Sequence, residues 1–266
     1  MTMLIDLRST TPFEEVLEVA QEWCDTRISA RRRARVLDAG SGLQSYVDFP
    51  AHVHVTGVDV SRELLDRNTR LDERVHGDLH ELEIPERSYD CVICWEVLEH
   101  LEEPARVVAK LGRAVADNGL LIIGSPNPHS IKGLVTRLTP YAFHLWVYRR
   151  FFNPVATGEA GAGPYRTSMK SAGGVSGVRR AAEEVGLTHV YTAWVESVMQ
   201  VALRERFHIT GRIWDGVRNL THVLSLGRIQ AERSDYLCIF ERPAEWNPAS
   251  SSGYSGRKRS WRSQRT

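Results

Sequence analysis

The sequence predicts an α/β fold built on a mostly parallel, doubly wound sheet, and three observations carry that expectation. Between Arg35 and Gly124 short apolar runs alternate with helix-patterned segments, as in successive βαβ units. The first run ends in a glycine turn, Gly40-Ser41-Gly42, at the carboxyl end of a strand, where such sheets take their ligands. The chain has 266 residues, 42% of them hydrophobic, enough to bury roughly 70–75% of the surface exposed when unfolded. No disulfide or metal staple is needed.

Thr11-Pro12-Phe13-Glu14-Glu15 combines a capping residue, a proline at the first helical position and acids in the first turn. Val16, Leu17, Val19, Ala20 and Trp23 follow at helical spacing, so an opening helix should cover the sheet. ARVLDAG, HVTGVDV, YDCVICWEV and GLLIIGS read as buried strands. Ser61 is placed to cap the helix after the second of them. Glu103-Pro104-Ala105 opens another, with Val107, Val108 and Leu111 facing inward. Ser125-Pro126-Asn127-Pro128 breaks the pattern. Val175 to Val185 reads as a helix closed by Gly186, and Thr188–Val195 and Tyr236–Glu241 as the last strands. The domain should therefore span residues 1–242, with insertions at about 129–174 and 197–231, the second helical and interrupted by Gly211, Gly216 and Gly227.

Charge and composition narrow the function classes. Net charge is +1, but residues 243–266 carry five basic residues against Glu245, and their Ser, Gly and Arg content predicts a disordered basic tail. The remaining body is net acidic and offers no groove to a polyanion, so nucleic acid is disfavoured as a partner. The N-terminus lacks the apolar core of a signal peptide, and no run of 18 apolar residues occurs. Four cysteines are too few for a disulfide scaffold, and the expected setting is the cytoplasm. Cys91 and Cys94, three apart on one strand, should point to opposite faces and form no metal clamp.

The chemistry-bearing motifs come in order. In VLDAGSG the missing Cβ atoms of Gly40 and Gly42 let a ligand lie against the backbone. Asp59, 17 residues after Gly42 at the end of the second strand, can accept hydrogen bonds from both hydroxyls of a ribose. Asp78-Leu79 follows the third strand, where an acid can bond an exocyclic adenine amine and an apolar side chain can pack on the ring. Together with CVICWEVLEHLEEP and NGLLIIGSPNP, these runs resemble class I S-adenosylmethionine-dependent methyltransferases over about Arg35–Pro128.

The resemblance implies a Rossmann-like, seven-stranded sheet with an antiparallel last strand. It also implies S-adenosylmethionine as cofactor, with Asp38, Gly40 and Gly42 at its methionine part, Asp59 and the adjoining Val60 at the ribose, Asp78 and Leu79 at the adenine, and Trp95 near the methionine end. One departure stands out, because Gln44 occupies the usual third glycine position. A small-molecule acceptor is expected, methylated on oxygen or nitrogen.

Candidates to take a proton from that acceptor are His129 and His144 in the insertion, with Tyr165 third. The run Glu96-Val-Leu-Glu99-His100 resembles the segment through which some ubiquinone-biosynthesis O-methyltransferases and plant small-RNA methyltransferases hold a divalent ion, so Glu96, Glu99 and His100 form an alternative metal set beside a structural reading. Four roles stand open for the aromatic stretch Leu134–Pro154: a lid over an apolar pocket, a helix lying on a membrane surface, a stacking surface for nucleic acid, which the acidic body disfavours, or packing alone; glycines 158–163 would serve as hinge. A catalytically silent binding module of the same fold is the remaining alternative, suggested by Gln44.

Overall fold

The computed structural model describes residues 10–29, 31–151 and 165–244. Seven strands form one sheet: β1 (Arg35–Ala39), β2 (His54–Asp59), β3 (Glu73–His76), β4 (Tyr89–Trp95), β5 (Val115–Pro126), β6 (Thr188–Val195) and β7 (Asp235–Glu241). Their order is β3-β2-β1-β4-β5-β7-β6. The first five pair in parallel, while β7 lies antiparallel between β5 and β6. The sheet is therefore of the doubly wound class expected, and the order reverses between β1 and β4, opening a crevice at their carboxyl ends.

Helices cover both faces because each turns an apolar stripe to the sheet. Helix α1 (Phe13–Ile28) buries Val16, Ala20, Cys24 and Ile28 at four-residue spacing on one face, beside α2 (Arg62–Arg67) with its Leu65. On the other face α3 (Pro104–Ala114) contributes Val107, Val108 and Leu111, and α6 (Val175–Glu183) contributes Val178, Ala181 and Ala182. Cys91 belongs to the first cluster and Cys94 to the second. Alternation along β4 sends them to opposite faces, as the spacing predicts. Cys24 Sγ instead approaches Cys91 Sγ at 3.5 Å across the α1 interface, and all four cysteines are free thiols.

Helix boundaries fall where the sequence predicts them when a side chain makes the signal itself. Ser61 caps α2 by accepting from Leu64 N–H, Pro104 opens α3, and Gly186 sits at φ +84° just after α6. The opening helix needs correction: it starts at Phe13, with Pro12 as a cap lacking any side-chain bond. Thr11 is drawn instead into a bridge with Val195, its N–H donating to Trp194 C=O at 2.8 Å. Edge pairing thus outcompetes capping.

Among the described residues, both insertions carry helices. After β5 come α4 (Ile131–Leu138) and α5 (Tyr141–Phe151); before β7 come α7 (Val198–Arg206) and α8 (Gly211–Leu224). Gly216 does not interrupt α8 but lies inside it, whereas Gly211 opens that helix at φ +52°. The proposed glycine hinge at 158–163 and nearly all of the basic tail lie outside the described residues. Past β7, the buried Arg242 guanidinium donates to the carbonyls of Gly112 (2.7 Å), Val115 (2.8 Å) and Val185 (3.2 Å). It ties the ends of α3 and α6 to the sheet.

Candidate functional site at the carboxyl ends of the strands

Past Ala39 the chain turns through Gly40 at φ +81° and Gly42 at φ +49°, where glycine is favoured because side chains clash. The N–H groups of Gly40 and Ser41 both donate to Val58 C=O, at 2.7 and 3.1 Å, fastening the turn to β2. The two glycines do different work. A Cβ on Gly40 would stand 2.2 Å from Val97 Cγ2, whereas one on Gly42 would meet nothing within 4 Å. Gly40 lets the chain pack against the β4 exit, and Gly42 keeps one side of the turn open.

Two carboxylates converge here. Asp59, ending β2, accepts from Gly42 N–H (3.0 Å) and Ser61 N–H (2.8 Å), holding the turn to the start of α2. Asp38 is buried on β1, and burial above all pushes its carboxyl up to about 7; Ser45 pulls it back and the nearby Asp59 charge raises it. Its Oδ2 and the Ser41 Oγ have no hydrogen-bond partner among the described residues. Two unmatched buried polar atoms in one turn are costly unless something bonds them.

On the β3 side, Asp78 accepts from the N–H and lies 2.8 Å from the Nδ1 of His80, bonds that hold its carboxyl below the usual range. Leu79 is buried in the core cluster that also holds Val58, and Val60 is exposed, its carbonyl 3.0 Å from His76 Nε2. Lys110 Nζ donates to the carbonyls of Leu79, His80 and Leu82, fixing this loop from α3.

At the end of β4 the Trp95 ring lies against Gly124, where an added Cβ would come within 2.4 Å of it. Tyr46, four residues beyond Gly42, stacks on Trp95 at 4.9 Å and donates its hydroxyl to Glu96 Oε2 at 2.5 Å. Phe13 meets both rings edge-on. Neither Ser41 nor Tyr46 was singled out from the sequence. Ser41 lay inside the glycine motif without a role, and Tyr46 is a lone aromatic whose partner is distant in the chain.

The Glu96–His100 run divides. Glu96, at φ +53°, faces Tyr46. Glu99 is buried, its carboxyl pushed up to about 8 chiefly by desolvation, and accepts from Ser125 Oγ at 3.3 Å. Its backbone carbonyl accepts from Ser168 and Met169 N–H, and His100 Nδ1 lies 2.6 Å from Arg166 C=O. This segment thus anchors the chain returning from the insertion. Among the described residues no group of three or more His, Cys, Asp or Glu side chains is placed to hold a metal ion. His129 stands exposed just after β5, its N–H donating to Asn127 Oδ1 at 3.0 Å. His144 lies on α5 with Nε2 2.7 Å from Thr139 Oγ1, and partial burial lowers its pKa.

A family model described as a methyltransferase domain matches residues 14–199. The chain belongs to the class I S-adenosylmethionine-dependent methyltransferase family. Within it, the chain is 34% identical over 113 residues to a probable S-adenosylmethionine-dependent methyltransferase of Mycolicibacterium smegmatis, covering 40% of this chain and 44% of that one. It is 27% identical over 127 residues to a ubiquinone biosynthesis O-methyltransferase of Aeromonas salmonicida, covering 44% and 53%. The chain thus spans about half the length of these relatives. The fold is shared with phosphoethanolamine N-methyltransferase 2 of Haemonchus contortus, solved in complex with S-adenosyl-L-methionine, at TM-score 0.50 and 14% identity over 88% of this chain and 54% of that one.

The β1 turn fits the family's cofactor. A buried carboxylate and hydroxyl with unused bonding capacity suit a cationic amino group, and the open face at Gly42 leaves room beside them.

Proposed function

We propose that this protein is an S-adenosylmethionine-dependent methyltransferase acting on an oxygen or nitrogen of a small, partly apolar acceptor. The observation that carries the reading is the pair of unpartnered buried atoms, Asp38 Oδ2 and Ser41 Oγ, beside the open side of Gly42. When bound, the cofactor supplies an electrophilic methyl group on a sulfonium. The chain's own work is then alignment and exclusion of water.

Asp38 and Ser41 would receive the cationic amino end, and Asp38 would ionise as that charge approaches. Asp59, already oriented by two backbone N–H groups, would offer its remaining lone pairs to ribose hydroxyls. Asp78 and Leu79 are assigned to the adenine, Val60 to the ribose beside Asp59, and Trp95 to the methionine end. His129, exposed at the exit of β5, is the better placed of the two histidines to take the acceptor's proton, since His144 already engages Thr139.

Calorimetric titration of S-adenosylmethionine and its demethylated product into the full chain, Asp38→Asn and Asp59→Asn tests this. Micromolar binding, about −8 kcal/mol, that weakens at least tenfold in both variants is the expected result. A folded wild type that binds neither ligand overturns the reading in favour of a silent module.

A further inference from the structure

Helices α4 and α8 carry their apolar stripes on the wrong side for a core. In α8, Ile213, Val217, Leu220 and Leu224 follow the i, i+4, i+7, i+11 spacing that normally buries a helix, yet no residue of α8 is buried and Leu224 is 75% exposed. In α4, Leu134, Val135 and Leu138 repeat the pattern, with Leu138 74% exposed. Trp146 and Phe143 on α5 are exposed as well. These helices adjoin: Phe151 at the end of α5 meets Phe207 after α7 with ring centroids 5.8 Å apart, and Arg204 of α7 lies over Trp214 of α8 at 5.3 Å.

The same two segments concentrate positive charge. Residues 131–151 hold four Lys and Arg and no Asp or Glu, and residues 198–228 hold five Arg against Glu205 and Asp215. Together they are net +7, whereas the rest of residues 1–242 is net −10. Exposed aliphatic stripes flanked by arginines match a surface that is apolar inside and negative at its rim. Arginine stems can lie along apolar groups while their guanidiniums reach phosphate.

We propose that α4, α5, α7 and α8 form a docking face for anionic lipid bilayers, with the leucine stripes entering the acyl boundary and the arginines pairing with headgroup phosphates. A second copy of the chain fits poorly, because a two-fold contact would set two faces of like charge against each other. Nucleic acid fits poorly too, since bases could stack on Trp146 and Phe143 of α5 but would leave the aliphatic stripes of α4 and α8 in water. Because α4 follows β5 directly, docking would turn the crevice side of the sheet toward the membrane. The proposal does not depend on the methyl-transfer reading.

The test is co-sedimentation of the full chain with phosphatidylglycerol–phosphatidylcholine vesicles and with pure phosphatidylcholine vesicles, using wild type, L220E/L224E and R206Q/R212Q. The substituted side chains are exposed, so folding is checked by an unchanged melting transition. Binding to the anionic vesicles that falls with salt, by tenfold or more in L220E/L224E and about fivefold per arginine removed, is expected. Equal binding by L220E/L224E would assign attraction to the basic tail and overturn the proposal. So would absence of binding to either vesicle, salt-sensitive capture of RNA in preference to vesicles, or a dimer in light scattering that L220E/L224E dissociates.

Discussion

Asp38→Asn replaces a carboxyl whose pKa burial lifts from 3.8 to about 7 with a group of the same shape and no charge. The folded-state pKa is raised, so the side chain's stabilising share is complete below pH 3.8 and lost as pH rises through about 7. Three units correspond to about 4 kcal/mol, of which about 2.5 kcal/mol falls between pH 5 and pH 8. Urea unfolding of wild type and Asp38→Asn at both values should show the wild type losing about that much relative to the variant. The cofactor's amino group would bind the ionised form, so wild-type affinity for S-adenosylmethionine should rise roughly fiftyfold from pH 5 to pH 7 while that of Asp38→Asn stays flat. If the two proteins show parallel stability and affinity profiles across this range, Asp38 is not a buried acid that receives the cofactor's amino group.

The two glycines of the turn should separate structure from binding. Gly40→Ala forces a Cβ into Val97 at positive φ and should cost about 2–3 kcal/mol in denaturant unfolding. Gly42→Ala meets no atom and should cost only about 1 kcal/mol, yet reduce cofactor affinity in the same titration. Glu99→Gln keeps an acceptor for Ser125 and removes an acid whose pKa burial raises from 4.5 to about 8; it should match wild type near pH 4 and become progressively more stable than wild type as pH rises to 8, as read by thermal melting. Arg242→Met leaves three carbonyls without their donor and should lower stability by about 2–4 kcal/mol with cofactor affinity unchanged.

Much of the fold was legible because its signals are local. The strands are continuous apolar runs since both sheet faces are covered, and Ser61, Pro104 and Gly186 mark helix boundaries by their own chemistry. The glycine turn, Asp38 and Asp59 were legible for the same reason: seventeen residues separate Gly42 from Asp59, and two parallel neighbouring strands bring them to one hydrogen bond. Thr11 was misread because the competing interaction, a pairing with β6, lies far along the chain. Tyr46 on Trp95 and Arg242 across three elements were not legible, since nothing local distinguishes those residues from surface ones.

The sequence by itself determined the class of sheet, the order of the cofactor motifs and the helices of the second insertion, because each follows from periodicity or from a residue's own backbone preference. Only the tertiary structure decided which way those helices face, and that the Glu96–His100 run splits between an aromatic stack and an anchor. It alone also left Asp38 and Ser41 with unused bonds. Periodicity reveals that a helix has an apolar side but not what covers it, and a carboxylate's charge state depends on the burial and neighbours that only packing supplies.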